Sequence, residues 1–360
     1  MKRKTAFSSF LCICLMAGCS SSAVSPISVS SDDRADETAS PSETASADLG
    51  KIVIYTPHDA DPMNAAITSF MSAYPNIKVE VVDAGTGELL ERITAEKDHP
   101  TADVIWGGGA DSLAGHDDLF ESYVCANDAS IDADFKDANG YWVGESPLPM
   151  VIIYNKKLLD AAGLSCPTSW ADCLNPAFKG QIAYCRPSKS GSAYTQLCTM
   201  ILANGGKEDG WNYVQKFVEN LDGRIFDSSS NCHKQVAAGE YMLGITIEKS
   251  AMTYADNPDI GYCYPSEGTS SVPDAISIIR NCPDEENARL FVDYVTSAQC
   301  QTEQSIDWSR RPVRADVPLP ANMTPLSEIN MVEYDFSWAA ESRNEIIERF
   351  DALLQSQSNG

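Results

Sequence analysis

The chain has 360 residues, with 26 Lys and Arg against 51 Asp and Glu, a formal net charge of -25, 43% hydrophobic and 9% aromatic content. That length is too great for one small core and suits two lobes, and the apolar fraction is that of a folded globular protein. The acidity argues against a nucleic-acid partner, because a phosphate backbone needs a basic face, and gives no reason for adhesion to anionic lipid.

The N-terminal stretch MKRKTAFSSFLCICLMAGCSSS starts basic, runs through a short apolar segment and ends on small residues before Cys19. The apolar run falls short of the roughly 20 residues a spanning helix needs, and the pattern is that of an export leader. It resembles a bacterial lipoprotein signal, which implies removal of residues 1–18 and lipidation of Cys19. An extracytoplasmic protein, anchored to the cell membrane by that lipid, is the expectation. Residues 19–49 are Ser, Ala, Thr, Asp and Glu with almost no large apolar side chain. Such a segment cannot bury enough surface to offset its ordering entropy, so a flexible tether is predicted there. Of the twelve cysteines, Cys12 and Cys14 leave with the leader and Cys19 carries the lipid. The remaining nine form no CxxC pair, so zinc-ribbon and thioredoxin chemistry fails on spacing and free buried thiols are expected.

From Lys51 strands and helices alternate. KIVIYT is a predicted buried strand, and in the following PHDADPMNAAITSFMSAYP Asp61 and Pro62 suit a helix start, with apolar residues at 63, 66, 67, 70 and 71. NIKVEVVDA is a second strand, GTGELLERITAEK a Gly-led helix, ADVIWGGGA a third strand and DSLAGHDDLF a short helix. This order predicts an α/β fold whose sheets are mostly parallel with helices on both faces. MVIIYNK, GQIAYCRP, a helix over about 191–204 and the helix GWNYVQKFVENL continue it. RIFD, LGITIE, IGYCYPSEG and DAISIIRN read as strands, DEENARLFVDYVTSAQCQ as one amphipathic helix, and SRNEIIERFDALLQSQ as the closing helix.

Four strand-to-helix junctions share one chemical character: DAGTGELL, WGGGADSL, RPSKSGSAY and DSSSNCHKQ. Each places Gly, Ser or Thr where free backbone N–H groups leave a helix start, an arrangement suited to phosphate or another anion. Any one of them reads as an ordinary cap; four at strand ends of one α/β chain point to a shared cleft, since ligands of such sheets bind at the carboxyl ends of the strands. The candidate ligand contacts are Thr56 and His58 after the first strand, then Thr86, Gly87, Gly107 and Gly108. Ser188, Ser190, Gly191, Ser192, Ser229 and Ser230 follow, with Glu248 at a strand end. Arg186, Lys189 and Lys249 are local sources of positive field. Trp106 either flanks the ligand or fills the core, His233 reads as a cap-associated or exposed residue, and Arg310 and Arg311 as an anion clamp or a surface pair. HExxH, GxSxG and GxxxxGK[ST] are all missing, so no catalytic residue is expected.

With those residues in view, residues 51–113 resemble the first lobe of ferric-iron-type solute-binding proteins of bacterial ABC importers. YNKKLLDAAGLSCPTSWADCLNPAFKGQIAYCRPSKSGSAYT, VAAGEYMLGITIE, AISIIRNCPDEENARLFVDYVTSAQCQ and RRPVR continue the likeness through about residue 320. The resemblance implies a type II periplasmic-binding fold with a hinge of crossing strands and a ligand held between lobes. Residues 50–152 plus 274–323 would form lobe 1, and 153–273 plus 324–360 lobe 2. Iron binders of this family carry adjacent tyrosines after the strand matching LGITIE, where this chain has Glu248-Lys249-Ser250. The chain is more similar to the members that bind hexose phosphates or phosphonates. The expectation is therefore a monomeric solute-binding lipoprotein for a small anionic, phosphorylated ligand, with no cofactor, no resident metal and ABC permease subunits as partners. Two alternatives stay open: iron(III) capture on the same fold, and presentation of the ligand to a membrane sensor kinase.

Overall fold

The computed structural model describes residues 50–358; the leader, Cys19 and the tether lie outside the described residues. β1 (Lys51–Thr56), α1 (Ala60–Ala73), β2 (Lys78–Asp83), α2 (Thr86–Glu96) and β3 (Val104–Gly109) follow the expected alternation. Every residue of β1 after Lys51 is buried, as in a strand covered on both faces. After α3 (Ala110–Leu113) come two further strands, β4 (Phe120–Glu121) and β5 (Val143–Pro147).

The chain then builds a second sheet. It contains β6 (Met150–Asn155), α4 (Lys156–Ala162), β7 (Ile182–Ala183), α5 (Gly191–Ala203), α6 (Gly206–Leu221) and α7 (Ser230–Ala237). β8 (Leu243–Ile247), α8 (Glu248–Met252) and β9 (Ile260–Cys263) complete it. β10 (Pro273–Ile279) returns to the first sheet, followed by α9 (Glu285–Val295), α10 (Ala298–Trp308), α11 (Phe336–Glu341) and α12 (Arg343–Ser358).

The first sheet has the order β2-β1-β3-β10-β4, with β5 also on β10; the second runs β7-β8-β6-β9. Both are mixed rather than mostly parallel. β1 pairs in parallel with β2 and β3, whereas β10 runs antiparallel to β3, β4 and β5. The reason is connectivity: β10 enters the first sheet from the second and meets β3 head to tail. Each sheet carries apolar clusters, and α12 packs Ile346, Phe350 and Leu354 into the core of the second.

Two strand passages join the lobes, residues 148–149 between β5 and β6 and residues 264–272 between β9 and β10. They are bonded to each other: Met150 N–H donates to the Ser270 carbonyl (3.2 Å) and Thr269 Oγ1 to the Met150 carbonyl (2.7 Å). The amphipathic stretch expected as one helix is two, α9 and α10, because Ser297 adopts an extended conformation and its side chain caps α10 by accepting from Cys300 N–H. All nine cysteines of the described residues are free thiols.

Candidate functional site

A cleft of about 310 Å³ lies between the strand ends of the two sheets. From the first sheet it is lined by His58, Asp59, Asp83, Thr86, Gly108 and Asp274. From the second come Ser190 and Ser192, then Ser228, Ser229 and Ser230, then Thr246, Lys249 and Ser250, with His233 and Lys234 beside them.

Two helix starts face this space. Ser190 is the N-cap of α5 and accepts from Ala193 N–H (3.4 Å), while its hydroxyl stands 3.1 Å from that of Ser192. At α7 the Ser228 and Ser230 hydroxyls are 3.2 Å apart, and Ser229, in the cap position, makes no side-chain capping bond. Hydroxyl groups and helix-start N–H groups from two helices thus meet in one space, the arrangement that suits an anion. Lys249 adds a cation that is only 9% exposed. Burial, and then its neighbour Arg310, depress the Lys249 pKa; a bound anion would oppose that depression.

Beneath the cleft is a buried ion network. Arg310 Nη2 donates to Glu145 Oε1 (2.7 Å) and Asp274 Oδ2 (3.3 Å). His58 Nε2 lies 2.7 Å from Glu145 Oε1, and Trp106 Nε1 donates to Glu145 Oε2 (2.6 Å). Burial opposes ionisation of Glu145, yet Arg310 and then His58 outweigh it and hold this carboxyl well below the ordinary carboxylate range. Trp106 therefore belongs to the core, with its ring edge-on to His58 at 4.8 Å.

The next residue, Arg311, turns to the other lobe. Its Nε and Nη2 donate to the two carboxylate oxygens of Glu248 (2.6 and 2.7 Å) and Nη2 also to the Thr324 carbonyl (2.6 Å). Tyr264 donates to Glu248 as well.

Three glycines allow the lobes to meet. A Cβ on Gly85 or Gly87 would collide with the carbonyl oxygens of Lys189 and Ser188, across the cleft. A Cβ on Gly191 would stand 3.0 Å from Gly109 N and 3.1 Å from Thr86 Oγ1.

Of the sequence candidates, His58, Thr86, Gly108, Ser190, Ser192, Ser229 and Ser230 line the cleft. Thr56 is fully buried and accepts from His58 N–H (3.2 Å), so it shapes the loop behind. Gly107, at φ +105°, makes room for the His58 ring. Gly87, Ser188 and Gly191 meet at the lobe contact rather than in the cleft lining. Glu248 faces away, engaged by Arg311 and Tyr264, and its neighbour Lys249 takes the cleft position. Arg186 pairs with Asp227 and Asp351. Sequence reasoning missed Asp59, Glu145 and Asp274 and set His233 aside; three of these carry no motif, whereas His233 sits one turn into a helix whose start was already suspect.

Two α/β lobes joined by crossing strands, with a polar cleft between their strand ends, define a solute-capturing protein of the type II periplasmic-binding class. The chain belongs to the bacterial extracellular solute-binding protein family, whose sequence profile matches residues 65–329. It is 27% identical over 252 residues to a putative 2-aminoethylphosphonate-binding periplasmic protein of Salmonella typhimurium, covering 67% of this chain and 71% of that one. Among solved structures it resembles the periplasmic binding protein AfuA of Actinobacillus pleuropneumoniae, determined with fructose-6-phosphate, at a TM-score of 0.80 and 24% identity over 85% of this chain and 99% of that one. It also resembles the apo ferric ion-binding protein A of Pasteurella haemolytica, at a TM-score of 0.71 and 16% identity over 84% and 97%. Among the described residues no helix is long and apolar enough to cross a membrane.

Proposed function

We propose that the cleft captures a small solute bearing a phosphate or phosphonate group, and that the lobes close on it before delivery to the importer. The observation that carries this reading is the convergence of the α5 and α7 starts, with Ser190, Ser192 and Ser228–Ser230, on a space that also holds Lys249. An anion there meets donors and a cation, while the overall charge of -25 is screened within about 8 Å at physiological salt. The phosphonate named for the Salmonella relative and the sugar phosphate held by AfuA are consistent with it.

His58, Glu145 and Asp274 offer a different chemistry, since their ligating atoms lie within 4.8 Å of one another. Iron(III) prefers such hard oxygen donors. Arg310 is bonded to both carboxylates, and Lys249 lies 4.0 Å from Asp274, so two cations already occupy the positions from which a metal would draw its charge balance. The anion reading is therefore preferred.

The division expected at 152/153 and 273/274 cuts β6, which pairs with β8 from Met150 onward, and β10, which starts at Pro273. Lobe 1 is therefore proposed to comprise residues 50–149 plus 273–323 and lobe 2 residues 150–272 plus 324–360, with Cys19 as lipid anchor and residues 19–49 as tether. Calorimetric titration with phosphate esters, phosphonates, inorganic phosphate and ferric citrate tests the ligand assignment. Binding of a phosphorylated compound is the expected result; binding of ferric citrate alone would overturn it. Mass spectrometry of the membrane-extracted protein tests the anchor, and an N-terminus without a diacylglycerol-modified Cys19 would refute it.

A further inference from the structure

A second chamber of about 320 Å³ adjoins the serine-lined cleft and shares Asp59, His233 and Lys249 with it. The rest of its lining differs in character: Pro62, Tyr254 and Trp308 present apolar and aromatic surface, beside the polar groups of Asp61, Thr253 and Arg310. A bare oxyanion gains nothing from the Pro62, Tyr254 and Trp308 surface, whereas the organic part of a phosphate ester or phosphonate does, because ligand sites pair apolar walls with a few placed polar groups.

His233 lines both chambers and is 6% exposed. Its Nδ1 lies 3.0 Å from the Tyr254 hydroxyl, which fixes the ring. Its Nε2 is buried and has no hydrogen-bond partner among the described residues. Buried polar atoms in folded proteins are paired in the great majority of cases, so an unpartnered one on a residue that lines both chambers is a group a ligand can satisfy. Burial, more than any neighbouring charge, pushes the His233 pKa down to about 4, so the ring is neutral near pH 7. One nitrogen of a neutral imidazole donates and the other accepts, and the Tyr254 contact decides which role is left to Nε2.

We propose that the second chamber receives the organic part of the ligand and that His233 Nε2 hydrogen-bonds a hydroxyl or amine carried on it. This rests on the anion reading above and adds a selectivity to it: phosphorylated compounds bearing such a group bind in preference to inorganic phosphate. His233 is then the residue that distinguishes them.

The test compares wild type, His233→Leu and His233→Gln by calorimetric titration with inorganic phosphate, hydroxylated phosphate esters and aminoalkylphosphonates. Wild type is expected to bind one of the organic compounds at least tenfold more tightly than inorganic phosphate. His233→Leu should lose at least tenfold more affinity for that compound than for inorganic phosphate, so that the preference of the wild type collapses, and an unchanged unfolding midpoint reports an intact fold. His233→Gln, which retains a hydrogen-bonding group, should recover part of the loss. In wild type the His233 ¹⁵N imidazole signals should move on adding the organic ligand and stay in place with inorganic phosphate. The inference is overturned if His233→Leu binds the organic compound as wild type does, or weakens both ligands equally. Wild type binding inorganic phosphate as tightly as every organic compound would overturn it while leaving the anion reading standing. Failure of every phosphorylated compound to bind wild type would remove the anion reading and this inference with it.

Discussion

Replacing Gly87 by Ala should separate the folding of the first lobe from closure of the cleft. Gly87 is the second residue of α2, and within a helix Ala is favoured over Gly by about 0.5–1 kcal/mol. For the lobe by itself the change is neutral or stabilising. In the closed arrangement the new methyl would stand less than 3.0 Å from the Ser188 carbonyl oxygen and 3.1 Å from its carbon. Both atoms are backbone, so no side chain can rotate away, and relief requires the loop of the second lobe to withdraw. Overpacking of this kind costs about 1–3 kcal/mol. Because the cost falls on the closed form alone, it appears as a loss of affinity of about 5- to 150-fold. Titration of Gly87→Ala with the tightest phosphorylated ligand measures this, and small-angle scattering at saturating ligand should show a larger radius of gyration than the liganded wild type. Unfolding midpoints without ligand should be equal or higher. Wild-type affinity together with a wild-type liganded radius would refute the reasoning.

Ser190→Ala removes both the α5 cap and a cleft hydroxyl; it should lower unfolding free energy by about 1 kcal/mol and weaken anion binding about tenfold or more, and unchanged affinity would take this loop out of the site. Glu248→Ala leaves the Arg311 guanidinium buried without its bidentate partner, a loss of about 3–5 kcal/mol by denaturant unfolding; a change below about 1 kcal/mol would show that the pair is not structural. His233 gives a pH signature. Its pKa is about 4 in the folded chain and near 6.5 unfolded, so the unfolded chain binds the extra proton first as pH falls. Stability is unaffected by this residue above pH 6.5 and decreases between about pH 6.5 and 4, by at most about 3 kcal/mol, and His233→Leu should remove that part of the slope. An identical slope in both proteins would contradict it.

The fold was legible where periodicity and punctuation coincide. KIVIYT, NIKVEVVDA and ADVIWGGGA became β1, β2 and β3, and the helix expected over about 191–204 is α5, because buried strands and capped helices leave local signatures. Strand direction was less legible: whether β10 pairs head to tail with β3 depends on contacts about 170 residues apart. At the cleft, the serine and glycine junctions were visible because a helix start needs particular residue types. Glu145 and Asp274 were not, since an acidic residue in a strand looks the same whether it meets water or Arg310. Glu248 shows the limit of a residue-wise reading. A ligand contact was expected from Glu248 at the end of β8, but the helix that begins there turns Glu248 toward Arg311 and gives the cleft to Lys249. The same junction glycines proved to serve a different purpose at Gly85 and Gly87, which admit the opposing loop.

Arg310 and Arg311 are one peptide apart, yet each is committed to a different body. The first is bonded to Glu145 and Asp274 on the strands of the first sheet; the second is bonded to Glu248 where the second sheet ends. A rotation of one lobe against the other can therefore be taken up in the backbone between two side chains that keep their grip. The dipeptide acts as an axle with a bearing at each end. Under such a rotation, charges that would be costly to strip of their partners would stay paired, and the cost of burying them would be met at folding rather than each time a solute is caught and released.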